Sequence, residues 1–240
     1  MEIISRCLEF FKEVEINFDL YIIADTQNKT NKLNDYIRHA DESEFFSREE
    51  FAEIASALFY VFGFAKVFYS ELDFIKYIIK NKPSPAECYV YNFSRDGVHE
   101  GKKSLIPAFC DLCNLHYTGS NAFTISLLRN KLMFSEIVKF YNVITPTNFI
   151  YPNDTIDIKE AFYGQDIIIK NIFESASQGL TADNRICVDN DIISKIDKVK
   201  QQMDVPSVLI QQYIEGAECE VLVLQFKKKY YALEPIELII

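Results

Sequence analysis

The apolar residues of this chain come in short blocks, and the spacing within them alternates between strand-like and helix-like periods. Residues 3–14 read as a short helix and "FDLYIIAD" (18–25) as a strand, while residues 26–47 are polar and turn-like. "REEFAEIASALFYVFG" (48–63) has helical spacing and closes on Gly63, a natural helix stop. "AKVFYS" (65–70) predicts a strand, and "ELDFIKYIIKN" (71–81) a helix closed by Pro83 and Pro85. "CYVYNF" (88–93) predicts a further strand and "KSLIPAFCDLCNL" (103–115) a further helix. Strand and helix in alternation imply a parallel sheet with covering helices.

The rhythm changes in the second half. "TISLLRNKLMFSEIVKFY" (124–141) reads as one long helix, with Pro146 beyond it. The strand "DIIIK" (166–170) runs into a loop of small residues, and "NDIISKIDKVKQQM" (190–203) is helical. "SVLIQQYI" (207–214), "CEVLVLQF" (219–226) and "KYYALEPIELII" (229–240) read as strands. The last two are joined by "KKK", as a tight antiparallel connection would be. The predicted class is therefore α/β: an N-terminal parallel-sheet domain followed by an α+β region of closely spaced strands. The boundary falls near residues 118–125, where the first sheet is complete, and no internal repeat is visible.

Apolar residues fill 49% of 240 positions, which supports a folded core and excludes a disordered chain. No apolar run has membrane-spanning length. The opening "MEIISRCLEFFKEVE" is acidic and lacks the apolar centre of a secretion signal, so a cytoplasmic protein is expected. A net charge of −10 argues against non-specific binding of nucleic acid or anionic membrane. It leaves ATP open, because one nucleotide needs only a few local cations.

Of the cysteines Cys7, Cys88, Cys110, Cys113, Cys187 and Cys219, only Cys110 and Cys113 have Cys-x-x-Cys spacing. A zinc site would want a second pair or nearby histidines, and His39, His99 and His116 are scattered. Buried, reduced thiols are the expected state, with metal or redox work the alternative.

The stretch "IIIKNIFESASQGL" (167–180) carries the chemistry. A strand that ends in Lys170 delivers a cation to a fixed place at a sheet's edge. The small residues that follow let backbone N–H groups approach an anion, and the hydroxyls of Ser175 and Ser177 add donors. The order of glycines and lysine is not that of a Walker loop. A solvated turn is the other reading of the same residues.

Three further segments join this one: "YTGSNAFTISLLRNKLMF" (117–134), "VLIQQYIEGAECEVLVL" (208–224) and the closing "EPIELI". In this order and spacing, from about residue 88 onward, the chain resembles the ATP-grasp superfamily, and most closely its D-alanine–D-alanine ligase branch. The resemblance implies a Rossmann-like pre-ATP-grasp domain over 1–120, the small ATP-grasp subdomain over 121–205 and the start of the large subdomain over 206–240. It implies phosphate contacts from Lys131 and Lys170, and a loop of Glu174, Ser175, Ser177 and Gly179 closing over the triphosphate. Adenine would lie on the strand segment Gln211, Gln212, Tyr213 and Ile214, and the ribose hydroxyls on Glu218. Read without the resemblance, Lys131 is a solvated helix lysine and Glu218 an exposed strand end.

The implied activity is an ATP-dependent carboxylate–amine ligase working through an acyl phosphate. ATP, magnesium and small amino-acid or peptide substrates follow from it. Arg95, His99, Lys102 and Lys103 are candidates to orient a substrate carboxylate, or else form a solvated loop. No catalytic residue is assigned. In the family the magnesium ligands lie beyond the strand that matches "EPIELII", so here they are expected beyond residue 240. A homodimer or a complementing C-terminal chain is the expected protein partner. The alternative is a catalytically incomplete nucleotide-binding module or half of a split ligase. Asn171 stands where the family has proline, and Gln211 where it has an acidic residue.

Overall fold

The computed structural model describes residues 2–14, 18–24, 46–95, 100–152, 157–175 and 180–239. Within them, β1 (Asp19–Ala24) is the most apolar strand, and it lies inside a four-stranded sheet of order β2-β1-β3-β4. Its neighbours are β2 (Ala65–Phe68) and β3 (Cys88–Phe93), and β4 (His116–Tyr117) lies outside β3. Every pairing is parallel, as the strand–helix alternation predicts. Successive side chains of a strand point to opposite faces, so a strand covered on both sides must be apolar at every step. Tyr21 and Ile23 meet Phe74, Ile78, Ile106 and Cys110 on one face, while Leu20, Ile22 and Ala24 meet Phe51 on the other. Phe74 and Ile78 come from α3 (Glu71–Asn81), Ile106 and Cys110 from α4 (Leu105–Leu112), and Phe51 from α2 (Arg48–Phe62).

The ends of α2 explain its position. Ser47 accepts from the Glu50 N–H at 3.1 Å, and the Glu50 carboxylate accepts from the Ser47 N–H at 2.8 Å, a reciprocal cap. Gly63 closes the helix in the left-handed region (φ 72), which a side chain would resist. Ser47→Ala is expected to cost about 1 kcal/mol of stability in a urea titration. A change near zero would mean that the cap contributes nothing in this context.

The second sheet is antiparallel, with order β5-β8-β6-β7. It is built from β5 (Asn148–Tyr151), β6 (Asp166–Lys170), β7 (Arg185–Cys187) and β8 (Val208–Gln212). Ile167, Ile169, Val208 and Ile210 form one face and pack on Ile158 and Phe162 of α7 (Ile158–Phe162). The same face meets Ile192, Ile196 and Val199 of α8 (Ile192–Gln202). The alternate residues, including Lys170 and Gln211, are therefore on the opposite face.

The long helix expected over 124–141 is two helices, α5 (Ala122–Arg129) and α6 (Lys131–Phe140). Asn130 leaves the helical region (φ −83, ψ 96), and its side chain caps α6 by accepting from the Met133 N–H. Asparagine competes with the helix for its own backbone donors, which favours such a break.

These elements from Phe18 to Tyr213 form one compact unit, and α1 (Glu2–Glu13) with the C-terminal strands forms another. In that second unit β9 (Glu218–Glu220) pairs with β12 (Ile236–Leu238), and β10 (Val223–Phe226) with β11 (Lys229–Ala232), all antiparallel. The expected strand 219–226 is thus interrupted at Val221 and Leu222. The register slips by one residue between the pairs, since Val223 faces Ala232 but Glu220 faces Ile236. Pro235, which has no N–H for the ladder, lies in the longer connection. The turn Lys227–Lys228 holds both residues at positive φ (48 and 63), as a two-residue hairpin requires. On α1, Phe10 packs edge-on against Phe226 at 5.5 Å. No helix among the described residues is long and apolar enough to cross a membrane.

Candidate functional site

Three strands of the antiparallel sheet place polar side chains side by side on the face away from α7 and α8. Lys170 pairs with Leu209 in the ladder, and Gln211 with Ile168, so Lys170 and Gln211 are diagonal neighbours on one face. Gln211 lies directly opposite Asn148. The Lys170 Nζ donates to Gln211 Oε1 at 2.7 Å, and Gln211 Nε2 donates to Asn148 Oδ1 at 2.7 Å. Asn148 Nδ2 then donates to the Ser135 hydroxyl at 2.7 Å, and Ser135 to Thr145 Oγ1 at 3.1 Å. An ammonium can only donate, so Lys170 dictates which end of each amide points which way. The row therefore runs in one direction from the cation on β6 to α6. Asn148 and Ser135 are buried, so each needs these partners.

The loop after β6 is organised by its first residue. Asn171 Oδ1 accepts from the Phe173 N–H at 2.9 Å and the Glu174 N–H at 3.3 Å, an Asx turn. Lys131 clamps the carbonyl side of the same loop. Its Nζ donates to the carbonyls of Asn171 (2.8 Å), Ile172 (3.5 Å) and Glu174. Its backbone N–H donates to the Ile172 carbonyl at 3.2 Å. That last bond depends on the helix break. In a continuous helix the N–H of Lys131 would be spent four residues back, whereas at the start of α6 it is free to leave the helix.

A turn before α4 reaches the same loop. Lys102 Nζ stands 3.4 Å from Glu174 Oε2, Arg129 Nη2 stands 3.9 Å from Glu174 Oε1, and Lys103 Nζ donates to Ser175 Oγ at 2.9 Å. Lys170, Lys131, Lys102, Lys103 and Arg129 thus border one short segment, 170–175. Of these, Arg129 carries no signal in the sequence beyond its place at the end of α5, and Asn148 and Ser135 carry none.

The remaining expected residues are placed as follows. The Gln212 N–H donates to the Thr147 carbonyl at 2.9 Å and the Tyr213 N–H to the Asp166 carbonyl at 3.0 Å. Arg185 lies 3.9 Å over the Tyr213 ring while its Nη2 holds Asp166 at 2.6 Å. Ile214 and Glu218 are exposed and belong to the unit that contains α1. Ser177, Gly179 and His99 lie outside the described residues. Arg95 faces the Phe46 ring at 5.5 Å.

Cys110 is buried in the core of the parallel sheet, and burial pushes its thiol up to about 12, while Cys113 is half-buried. Both are free, as are the exposed Cys187 and Cys219. Among the described residues no group of three or more His, Cys, Asp or Glu side chains is placed to hold a metal ion.

No protein-family model matches the sequence. Over 134 residues the chain is 31% identical to a D-alanine–D-alanine ligase of Pseudothermotoga lettingae, covering 54% of this chain and 41% of that protein. The chain thus matches less than half the length of that curated relative. In structure it is similar to D-alanyl-alanine synthetase A of Vibrio cholerae, with a TM-score of 0.61 at 14% identity over 94% of this chain and 69% of that one. It is similar to the VanG D-Ala:D-Ser ligase of Enterococcus faecalis, with a TM-score of 0.60 at 13% identity over 92% and 69%. A D-alanine–D-alanine ligase of Bacillus anthracis complexed with ATP matches with a TM-score of 0.54 at 14% identity over 92% and 66%. The chain therefore resembles the D-alanine–D-alanine ligases in sequence over half its length, and it has their α/β fold.

Proposed function

We propose that this chain is the nucleotide-binding part of an ATP-dependent carboxylate–amine ligase of the D-alanine–D-alanine kind. In that reaction a substrate carboxylate oxygen attacks the terminal phosphorus of ATP and ADP leaves. An amine nitrogen then attacks the acyl-phosphate carbon, expels phosphate, loses a proton and leaves an amide. The observation that carries the reading is the directed row from Lys170 through Gln211 and Asn148 to Ser135. It fixes a cation and a carbonyl acceptor on one sheet face, as a phosphate and an exocyclic amino group require.

In this reading Lys170 meets the phosphates and Gln211 Oε1 uses its second lone pair on adenine. Backbone groups of Gln212 and Tyr213 border the base. Lys131 holds the carbonyls of Asn171, Ile172 and Glu174, at the start of the loop that would cover the triphosphate. The polar residues of this sheet face fit a nucleotide, and among the described residues no cluster of His, Cys, Asp or Glu side chains is placed to hold magnesium.

Calorimetric titration with ATP tests the proposal. The intact chain should bind, and Lys170→Ala should bind about 10- to 100-fold more weakly, the usual weight of one charge-assisted contact to phosphate. Equal affinity in both would remove Lys170 from the site and the reading with it. Amide formation across panels of D- and L-amino acids then identifies the substrates.

A further inference from the structure

The cross-strand row that carries Gln211 continues past it. Gln211 faces Ile168 on β6, and Ile168 faces Arg185 on β7, so all three share the face away from α7 and α8. Tyr213 lies two residues beyond Gln211, and Asp166 two before Ile168, which puts both on that same face. The Tyr213 N–H donates to the Asp166 carbonyl at 3.0 Å, although β8 itself ends at Gln212. Neighbouring strands are about 4.8 Å apart, so β7 and β8 are about 10 Å apart, and the side chains of Arg185 and Tyr213 meet over β6. Arg185 Nε and Nη2 both donate to Asp166 Oδ2, at 2.7 and 2.6 Å, which orients the guanidinium plane. Its Cζ stands 3.9 Å from the centre of the Tyr213 ring. Ile168, half-buried, is thus an apolar floor with an amide on one side and a cation stacked on a ring on the other.

We infer that Arg185 is a positioning residue for the base. With Asp166 it holds the Tyr213 ring, and through it the backbone at the end of β8, while Ile168 supplies the surface on which a planar base lies. The inference rests on the nucleotide reading above and adds the residues that shape its base end. The task calls for a planar fork and not for charge alone. A guanidinium stacks on a ring while its edge donates two bonds, and an ammonium has no plane to do both. Lys170 is four residues along β6 from Asp166, about 13 Å away, so Arg185, pinned at Asp166, acts at the end of the site remote from that phosphate contact. An ion pair with side chains 45% and 33% exposed adds little to overall stability, so its effect is one of orientation.

The test separates a positioned base from a mere attraction of phosphate. ATP and inorganic tripolyphosphate are titrated calorimetrically into the intact chain and into Arg185→Ala, Arg185→Lys and Tyr213→Leu, with thermal melts to verify folding. Arg185→Ala should weaken ATP about two- to fivefold, the weight of one cation–ring contact near the surface, and leave tripolyphosphate unchanged. Arg185→Lys should lose as much as Arg185→Ala. Tyr213→Leu should reproduce the loss, and adding Arg185→Ala to it should cost little more, because the two act as one unit. Equal losses for ATP and tripolyphosphate, or full recovery in Arg185→Lys, would make Arg185 a charge that attracts phosphate and overturn the inference. An ATP affinity that Arg185→Ala leaves unaltered overturns it as well. If the intact chain binds no ATP, the function proposed above fails, and the hold on β8 is judged by hydrogen exchange. Faster exchange of the Tyr213 N–H in Arg185→Ala then supports it, and an unchanged rate overturns it.

Discussion

Replacing Lys131 by methionine is expected to lower the free energy of unfolding by about 2–4 kcal/mol, against less than about 0.5 kcal/mol for Lys139→Ala. The two lysines sit on the same helix but do different things. Lys139 pairs with Glu136 at 2.6 Å, with both side chains largely in solvent, so water replaces the pair at little cost. The ammonium of Lys131 is half-buried and donates to carbonyls of Asn171, Ile172 and Glu174. Methionine fills a similar volume and donates nothing, which leaves those oxygens without their charged donor. Urea titration gives the two free energies. Hydrogen exchange gives the location, and the N–H groups of Phe173 and Glu174, held by Asn171, should exchange faster in Lys131→Met. Equal free energies for the two variants would show that the clamp carries no net stability.

The parallel sheet could be read from the chain because its period is local. β1 is apolar at successive positions from Leu20 to Ala24, and Gly63 and Pro83 punctuate its covering helices. Each of those signals acts within a few residues of itself. Lys170 was visible for the same reason: a charge at the end of an apolar strand stands out from its neighbours. The break at Asn130 was hidden, since the apolar spacing continues across it from Leu127 to Met133 and only the cap distinguishes two helices from one. Arg129, Asn148 and Ser135 could not be found from sequence. Their roles come from partners 10 to 63 positions away, such as Thr145 for Ser135 and Gln211 for Asn148, and from Glu174 for Arg129. Two departures from the family pattern acquire physical accounts. Asn171 builds with its own side chain the turn that a proline would otherwise bias, and Gln211 keeps the acceptor toward Lys170 while gaining a donor toward Asn148.

That gain sets the second large effect. Asn148→Leu is expected to cost about 2–4 kcal/mol, because it removes an acceptor from Gln211 Nε2 and a donor from Ser135 inside a face with little access to water. Gln211→Leu should cost a similar amount, since Asn148 and the Lys170 ammonium each lose a partner. The double variant should cost clearly less than the two single costs together, by about 1–3 kcal/mol, because each leucine removes the group that the other leaves unsatisfied. The nucleotide response should differ from the stability response. With Asn148 replaced, the Gln211 amide is no longer fixed in one orientation. ATP affinity should then fall further than affinity for inorganic tripolyphosphate, which meets the cations but presents no exocyclic amino group. Additive stability costs would mean that the row is a set of independent bonds and that Asn148 does not orient Gln211. Equal losses for ATP and tripolyphosphate would place the disturbance at Lys170, and the amide of Gln211 would then have no part in reading the base.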